Sequence, residues 1–159
     1  ILKKLYNQKS KDLLVKKLES EDFNRTTCSF YKYVTIVDPI TFRDNIYEEF
    51  DNLEILGRVY IAEEGMNAQI SVPDKNWGLF LKLISSMKLL YGVDIKTAIN
   101  DGISFYKLIV KVKKEIVTMG KLSINPSVTK GTYVEPENWN KLISIMNGKR
   151  MANKIWKDN

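Results

Sequence analysis

An α+β fold, one β-sheet with two helices on a single face, is predicted for this 159-residue chain by three observations. Short aromatic and β-branched stretches such as Phe30-Tyr31-Lys32-Tyr33-Val34-Thr35-Ile36 are interleaved with two segments whose apolar residues recur at helical spacing. Each of those two segments opens on a proline beside an aspartate, at Asp38-Pro39 and at Pro73-Asp74. Between them Ala68, Ile70 and Val72 alternate with Gln69 and Ser71, the pattern of a strand with one dry face and one wet face.

The elements follow in order. Residues 1–22 read as a polar, lysine-rich helix with Leu13, Leu14 and Leu18 on one side. Arg25-Thr26-Thr27 leads into a first strand from Phe30 to Ile36, in which Phe30, Val34 and Ile36 share one parity and Tyr31, Tyr33 and Thr35 the other. Asp38 can cap free helix amides and Pro39 suits a first helical position, so a helix follows, with Phe42, Ile46, Phe50 and Leu53 as its stripe. Leu56–Ala62 and Ala68–Val72 read as strands joined through Glu63-Glu64-Gly65-Met66-Asn67. A second helix opens at Pro73-Asp74, with its seam at Trp77, Leu81, Ile84 and Met87/Lys88, and ends at Tyr91-Gly92. Val93–Ile99 is a fourth strand, Asn100-Asp101-Gly102 a turn, and Phe105–Thr118 a long fifth strand. With right-handed crossovers, the order β-α-β-β-α-β-β gives an antiparallel ferredoxin-like sandwich extended by one strand. Residues 120–135 read as a connector, Glu135 to Met146 as a last helix with Trp139, Leu142, Ile143 and Met146 apolar, and the stretch from Asn147 onward as a polar, frayed end. The domain boundaries expected are 1–24 for a helical extension, 25–119 for the sandwich, and 120–159 for linker and helix.

Composition narrows the chemistry. The chain has no histidine, so triads and pairs that need imidazole are excluded, as are His-based zinc sites. A single cysteine excludes an internal disulfide and a Cys-based zinc cage and fits a reducing cytoplasm. No apolar run reaches the length of a membrane span, and the start lacks the apolar core of a signal peptide; a soluble cytoplasmic protein with no membrane partner is expected. The net charge of +6 is uneven: residues 105–159 carry eleven basic and four acidic side chains, residues 26–104 seven and eleven. Either that basic final third meets a polyanion, most simply nucleic acid, or it reflects lysine abundance from an AT-rich genome.

Several constellations have both a functional and a structural reading. Lys107, Lys111 and Lys113, with Ile109, alternate with Leu108, Val110 and Val112, which places the lysines opposite the core. If Tyr31 and Tyr33 share that face, it combines stacking rings with ammonium groups, as single-stranded RNA readers do; otherwise it is a solvated face with tyrosines under a loop. Glu63 and Glu64 are either an acid–base pair or two solvated acids at a turn. Cys28 has only Arg25 nearby in sequence and reads as a small buried residue. The glycines match neither a Walker A loop nor G-x-G-x-x-G. Trp77 and Trp139 fall on helical seams, whereas Trp156 lies in the polar tail.

Taken together, certain strings resemble the N-terminal half of the bacterial rhodanese-domain-containing tRNA uridine hydroxylases. They are Arg25-Thr26-Thr27 with Phe30-Tyr31-Lys32-Tyr33, Asp38-Pro39 with Phe42-Arg43-Asp44, and the ungapped run from Gly57 to Pro73 that contains Arg58, Glu63-Glu64-Gly65-Met66-Asn67 and Gln69. Ser104-Phe105, Lys111-Val112-Lys113, Ile116-Val117 and Gly131-Thr132-Tyr133-Val134 extend the likeness, which covers roughly residues 7–143. The resemblance implies oxygen-dependent hydroxylation of the wobble uridine of tRNA to 5-hydroxyuridine in the cytoplasm, with molecular oxygen as co-substrate and any other cofactor unknown. It also implies an acylphosphatase-like first domain followed by a rhodanese domain bearing the catalytic cysteine. Arg58, Glu64, Gly65 and Asn67 fall in the family's signature loop and are expected to face substrate or the partner domain. With Tyr31, Tyr33, Lys107, Lys111 and Lys113 they form the candidate tRNA-facing set; no catalytic residue and no metal ligand is assigned. No rhodanese-type loop follows Leu142, so the expectation is an excised N-terminal portion or a truncated relative, with the reactive cysteine in an absent domain. The alternative is a stand-alone ferredoxin-like module that binds RNA or a protein without chemistry. Acylphosphatase activity would want an arginine where Val37-Asp38-Pro39 stands.

Overall fold

A computed structural model of the chain describes residues 5–98, 105–116 and 134–155. The elements in chain order are α1 (Lys11–Glu19), β1 (Arg25–Tyr33), α2 (Pro39–Asn52), β2 (Leu56–Ala62), β3 (Gly65–Pro73), a 3-10 turn (Asp74–Asn76), α3 (Trp77–Ser86), β4 (Lys96–Thr97), β5 (Leu108–Val112) and α4 (Pro136–Ile155). The chain divides into two compact units, 1–128 and 129–159. The first holds the sheet, ordered β4-β1-β3-β2-β5, and the second holds α4.

The sheet is mixed. β3 runs antiparallel to both β1 and β2, β4 antiparallel to β1, and β5 parallel to β2. An all-antiparallel sheet was the expectation, and β5 departs from it for a topological reason. β4 takes the β1 edge, so the chain must cross to the β2 edge, where it enters in the direction of β2.

Alternation sorts every strand into two faces. Cys28, Phe30, Val59, Ile61, Met66, Ala68, Ile70, Val72, Leu108 and Val110 point inward and are buried. They pack with Ile46, Tyr47 and Phe50 of α2 and Phe80 and Ile84 of α3 in one apolar cluster. Phe80 sits at its centre, its ring 6.3 Å from that of Phe30, 6.1 Å from Phe50 and 5.4 Å from Trp77. Burial of these side chains supplies the main drive for the fold, roughly 1.5–3 kcal/mol for each large one.

Local chemistry sets the element ends. The Asp38 carboxylate accepts from the amides of Ile40 (3.1 Å) and Thr41 (3.0 Å) and from the Thr41 hydroxyl (2.7 Å), capping α2. β1 begins at Arg25, five residues before the apolar strand pattern. The Arg25 guanidinium explains this early start: it binds both carboxylate oxygens of Glu21 (2.6 and 2.7 Å) and the carbonyls of Glu54 (2.9 Å) and Ser71 (3.3 Å). α1 is shorter than residues 1–22, and its Leu13 is exposed while Leu14 and Leu18 are half-buried. In α3 the buried residues are Phe80 and Ile84, and Leu81 is 39% exposed. Trp77 and Met87 also pack against the core, so the expected seam holds except that Phe80 takes the inward place expected of Leu81.

β4 is only two residues long because the Val93 amide still donates to Leu90 in the turn after α3 (3.1 Å). β5 stops at Val112, with the Lys113 amide bonded to the Ile61 carbonyl (2.8 Å). α4 continues to Ile155, past Asn147 where the composition turns polar. The expected turn at Asn100-Asp101-Gly102, the end of the fifth strand at Val117-Thr118, most of the connector and Trp156 lie outside the described residues.

Arg43 closes the outer edge of β5. Its guanidinium donates to the Val110 carbonyl (3.1 Å), the Leu5 carbonyl (2.5 Å) and Asp44 (2.7 Å), occupying an acceptor that could otherwise template another strand.

Two glycines hold the sheet tight at the β2–β3 hairpin. At Gly65 (φ +147°) a Cβ would lie 2.0 Å from the Lys32 carbonyl oxygen, and at Gly57 (φ +139°) 2.3 Å from that of Gln69. Gly65→Ala is therefore expected to destabilise the protein by at least about 2 kcal/mol. A urea titration followed by tryptophan fluorescence checks this, and an unchanged midpoint refutes it.

Candidate nucleic-acid interface

The sheet face away from the helices is built by the other parity. The register sets Tyr31, Asn67, Tyr60 and Lys111 side by side across β1, β3, β2 and β5. The next row is Lys96, Ser29, Gln69, Arg58 and Ile109, running from β4 to β5. Ser29, Tyr31, Arg58, Gln69, Lys96, Lys111 and Lys113 are exposed. Among the described residues, no strand position on this face is acidic; the carboxylates that act on it are Glu64, beside Tyr33, and Asp94, 3.9 Å from the Lys96 ammonium.

Rings and cations meet here. The Lys113 ammonium lies 5.5 Å from the centroid of Tyr60, within cation–π range. Tyr31 and Tyr33 pack edge-on, with centroids 6.0 Å apart and planes at 72°. The Tyr33 phenol is held above its ordinary pKa, first by burial, then by the Glu64 carboxylate and Tyr31, so it stays protonated in neutral solution. Lys107 lies at the other end of β5, its ammonium 5.5 Å from the Tyr106 ring, with Lys11 5.8 Å from the same ring.

Glu64, Gly65 and Asn67 occupy a distinct place. Glu63 and Glu64 form a two-residue turn between β2 and β3, and their carbonyls accept from the amides of Ile36 (2.9 Å) and Val34 (3.0 Å). The Glu64 carboxylate accepts from the Ile116 amide (2.7 Å), and the Asn67 side-chain amide donates to the Ile116 carbonyl (3.4 Å). Ile116, only 4% exposed, is thus clasped through both of its main-chain polar groups, just beyond β5. Sequence spacing brings the signature residues together but does not reveal this clasp, because residue 116 is 52 positions from Glu64.

Glu64→Ala is expected to speed amide exchange at Ile116 at least about tenfold while β3 amides keep their protection. Hydrogen exchange resolved by residue measures this. Equal protection in both proteins would rule the clasp out.

Cys28 does not offer a nucleophile. It is 2% exposed, and burial pushes its pKa up to about 12. Arg25, the cation close to it in sequence, is engaged by Glu21. At pH 8 the thiolate fraction is about one in ten thousand, so iodoacetamide should label Cys28 only in denaturant. Mass spectrometry of the native and unfolded protein reads this directly, and rapid native labelling would contradict it.

The segment between β1 and α2 also lacks an anion cradle. The first amides of α2 take the Asp38 carboxylate, which the Thr41 hydroxyl and amide hold below the usual carboxylate range. Among the described residues, no group of three or more His, Cys, Asp or Glu is placed to hold a metal ion, and no helix is long and apolar enough to cross a membrane.

The βαββαβ core, with β5 added beside β2, defines an acylphosphatase-like domain whose open face is basic and aromatic. The chain belongs to the UPF0176 acylphosphatase-like domain family, whose pattern matches residues 25–116. It is 41% identical over 138 residues to the tRNA uridine(34) hydroxylase of Leptospira interrogans serogroup Icterohaemorrhagiae serovar Lai, covering 86% of this chain and 38% of that protein. Its identity to the tRNA uridine(34) hydroxylase of Photorhabdus laumondii is 39% over 143 residues, covering 87% of this chain and 40% of the relative. For the protein of the same name in Citrobacter koseri it is 44% over 118 residues, or 73% and 34% of the two chains. The chain thus spans about two fifths of the length of the curated relatives it matches.

Proposed function

We propose that this chain is the tRNA-facing domain of a tRNA uridine(34) hydroxylase. The observation that carries this reading is the sheet face: cations and tyrosines on adjacent strands, without an acidic residue among the strand positions, in a chain of this family. In this reading Arg58, Lys111 and Lys113 hold phosphates, Lys107 extends the basic band along β5, and Tyr31 and Tyr33 supply aromatic planes. Glu64, Gly65 and Asn67 frame the end of the face through the hairpin and the clasp on Ile116.

The reaction is the oxygen-dependent conversion of the wobble uridine to 5-hydroxyuridine in the cytoplasm. In this reading the buried Cys28 is not the reactive cysteine, which belongs to a partner rhodanese domain. An anticodon-loop uridine is unpaired, so presenting it costs little unstacking energy. Residues 25–119 act as the folded unit of this activity, 1–24 as its helical extension and 120–159 as linker and helix.

Combined Arg58→Glu, Lys111→Glu and Lys113→Glu substitution is expected to weaken tRNA binding at least about tenfold and to flatten its dependence on salt. Filter binding at several salt concentrations, with a melting curve to show an intact fold, makes the test. Unchanged affinity in a folded variant would overturn the proposal.

A further inference from the structure

We infer that the open face takes an unpaired RNA strand in a fixed layout, bases on the β1 side against Tyr31 and phosphates on the β2–β5 side against Arg58, Lys111 and Lys113. This rests on the reading of the face as an RNA surface and adds where each part of a nucleotide lies. The register separates the two kinds of group. After Arg25, which Glu21 engages, the outward positions of β1 are uncharged: Thr27, Ser29, Tyr31 and Tyr33; Lys96 of β4, beside Ser29, has the Asp94 carboxylate 3.9 Å from its ammonium. The cations Arg58 and Lys111 lie two and three strands away, on β2 and β5, and Lys113 continues the β5 line. Strands about 4.8 Å apart put β1 and β5 about 14 Å from each other.

Two details fix the direction. Tyr31 is 63% exposed, and Tyr33 braces its ring edge-on without sandwiching it, so the ring is open and held in orientation. Tyr60, by contrast, already carries the Lys113 ammonium, so positive charge lies over the β2 side. Between them Asn67 is committed to Ile116, whereas Gln69 is exposed beside Ser29 and Arg58 and offers both an amide donor and an acceptor to a base edge. A duplex buries its base faces within its own stack and cannot use Tyr31. The layout therefore selects single strands and loops.

Fluorescence anisotropy of the full chain with a labelled single-stranded RNA, and with the same sequence as a duplex, tests this. Tyr31→Ala should weaken single-strand binding about tenfold with the salt slope unchanged, and Tyr31→Phe should restore it. Lys111→Ala should lower the slope by about 0.7. Duplex binding should be weaker and indifferent to Tyr31→Ala. If the chain binds single strands but Tyr31→Ala has no effect, or the Lys111 slope does not move, the layout is wrong while the RNA surface stands. If neither RNA form binds, the RNA surface itself falls.

Discussion

Everything on the open face depends on the register of β3 between its two neighbours. A strand alternates sides with every residue, so a slip of one position would turn Met66, Ala68, Ile70 and Val72 toward water and Asn67 and Gln69 into the core. The close approach at Gly65 and Gly57 excludes such a slip, because only a residue without Cβ lets the neighbouring carbonyls come so near. The packing of Phe30, Phe50 and Phe80 on the helical side thereby decides which tyrosines and lysines remain for the other side.

The same hairpin links the core to the chain beyond it. Its turn carbonyls hold Val34 and Ile36 on the way to α2, and its side chains at 64 and 67 hold Ile116 on the way out of β5. One short turn therefore sets the exit of two strands. Tyr33 stands beside this junction, and the nearby carboxylate helps keep its phenol neutral. Residues from a signature loop that invites a substrate-contact reading are thus bound into the architecture of the site. This suits them to frame a ligand surface rather than to react on it.

Charge is divided by use. Arg25 and Arg43 are absorbed into the fold, one by Glu21 and two carbonyls, the other by the edge of β5, the N-terminal segment and Asp44. A guanidinium with five donors in a plane can close such edges, where an ammonium would leave carbonyls unmet. Arg58 and Lys111 have no such duty and stay in water, as does Lys96, whose ammonium lies 3.9 Å from the Asp94 carboxylate. Equal formal charges are therefore spent on the fold at one position and left in water at another.

Much of the domain was legible from local pattern. The alternation in residues 68–72, the Asp38 cap, the stripe of Ile46 and Phe50, and the opposite parities of Phe30 and Tyr31 all depend on neighbours a few residues away. Non-local pairing was not legible: the parallel entry of β5 beside β2, the shortening of β4 by the turn at Leu90 and Val93, and the guanidinium contacts that draw Arg25 into β1. By itself the sequence determined which residues could be inside, which could be outside, and that a basic and aromatic face was possible. Only the tertiary structure decided that Tyr31, Asn67, Tyr60 and Lys111 stand in one row and that Glu64 and Asn67 are spent on Ile116. The physical reason is range: periodicity acts along the chain over a few residues, whereas rows across a sheet and clasps between distant segments exist only once the chain has closed on itself.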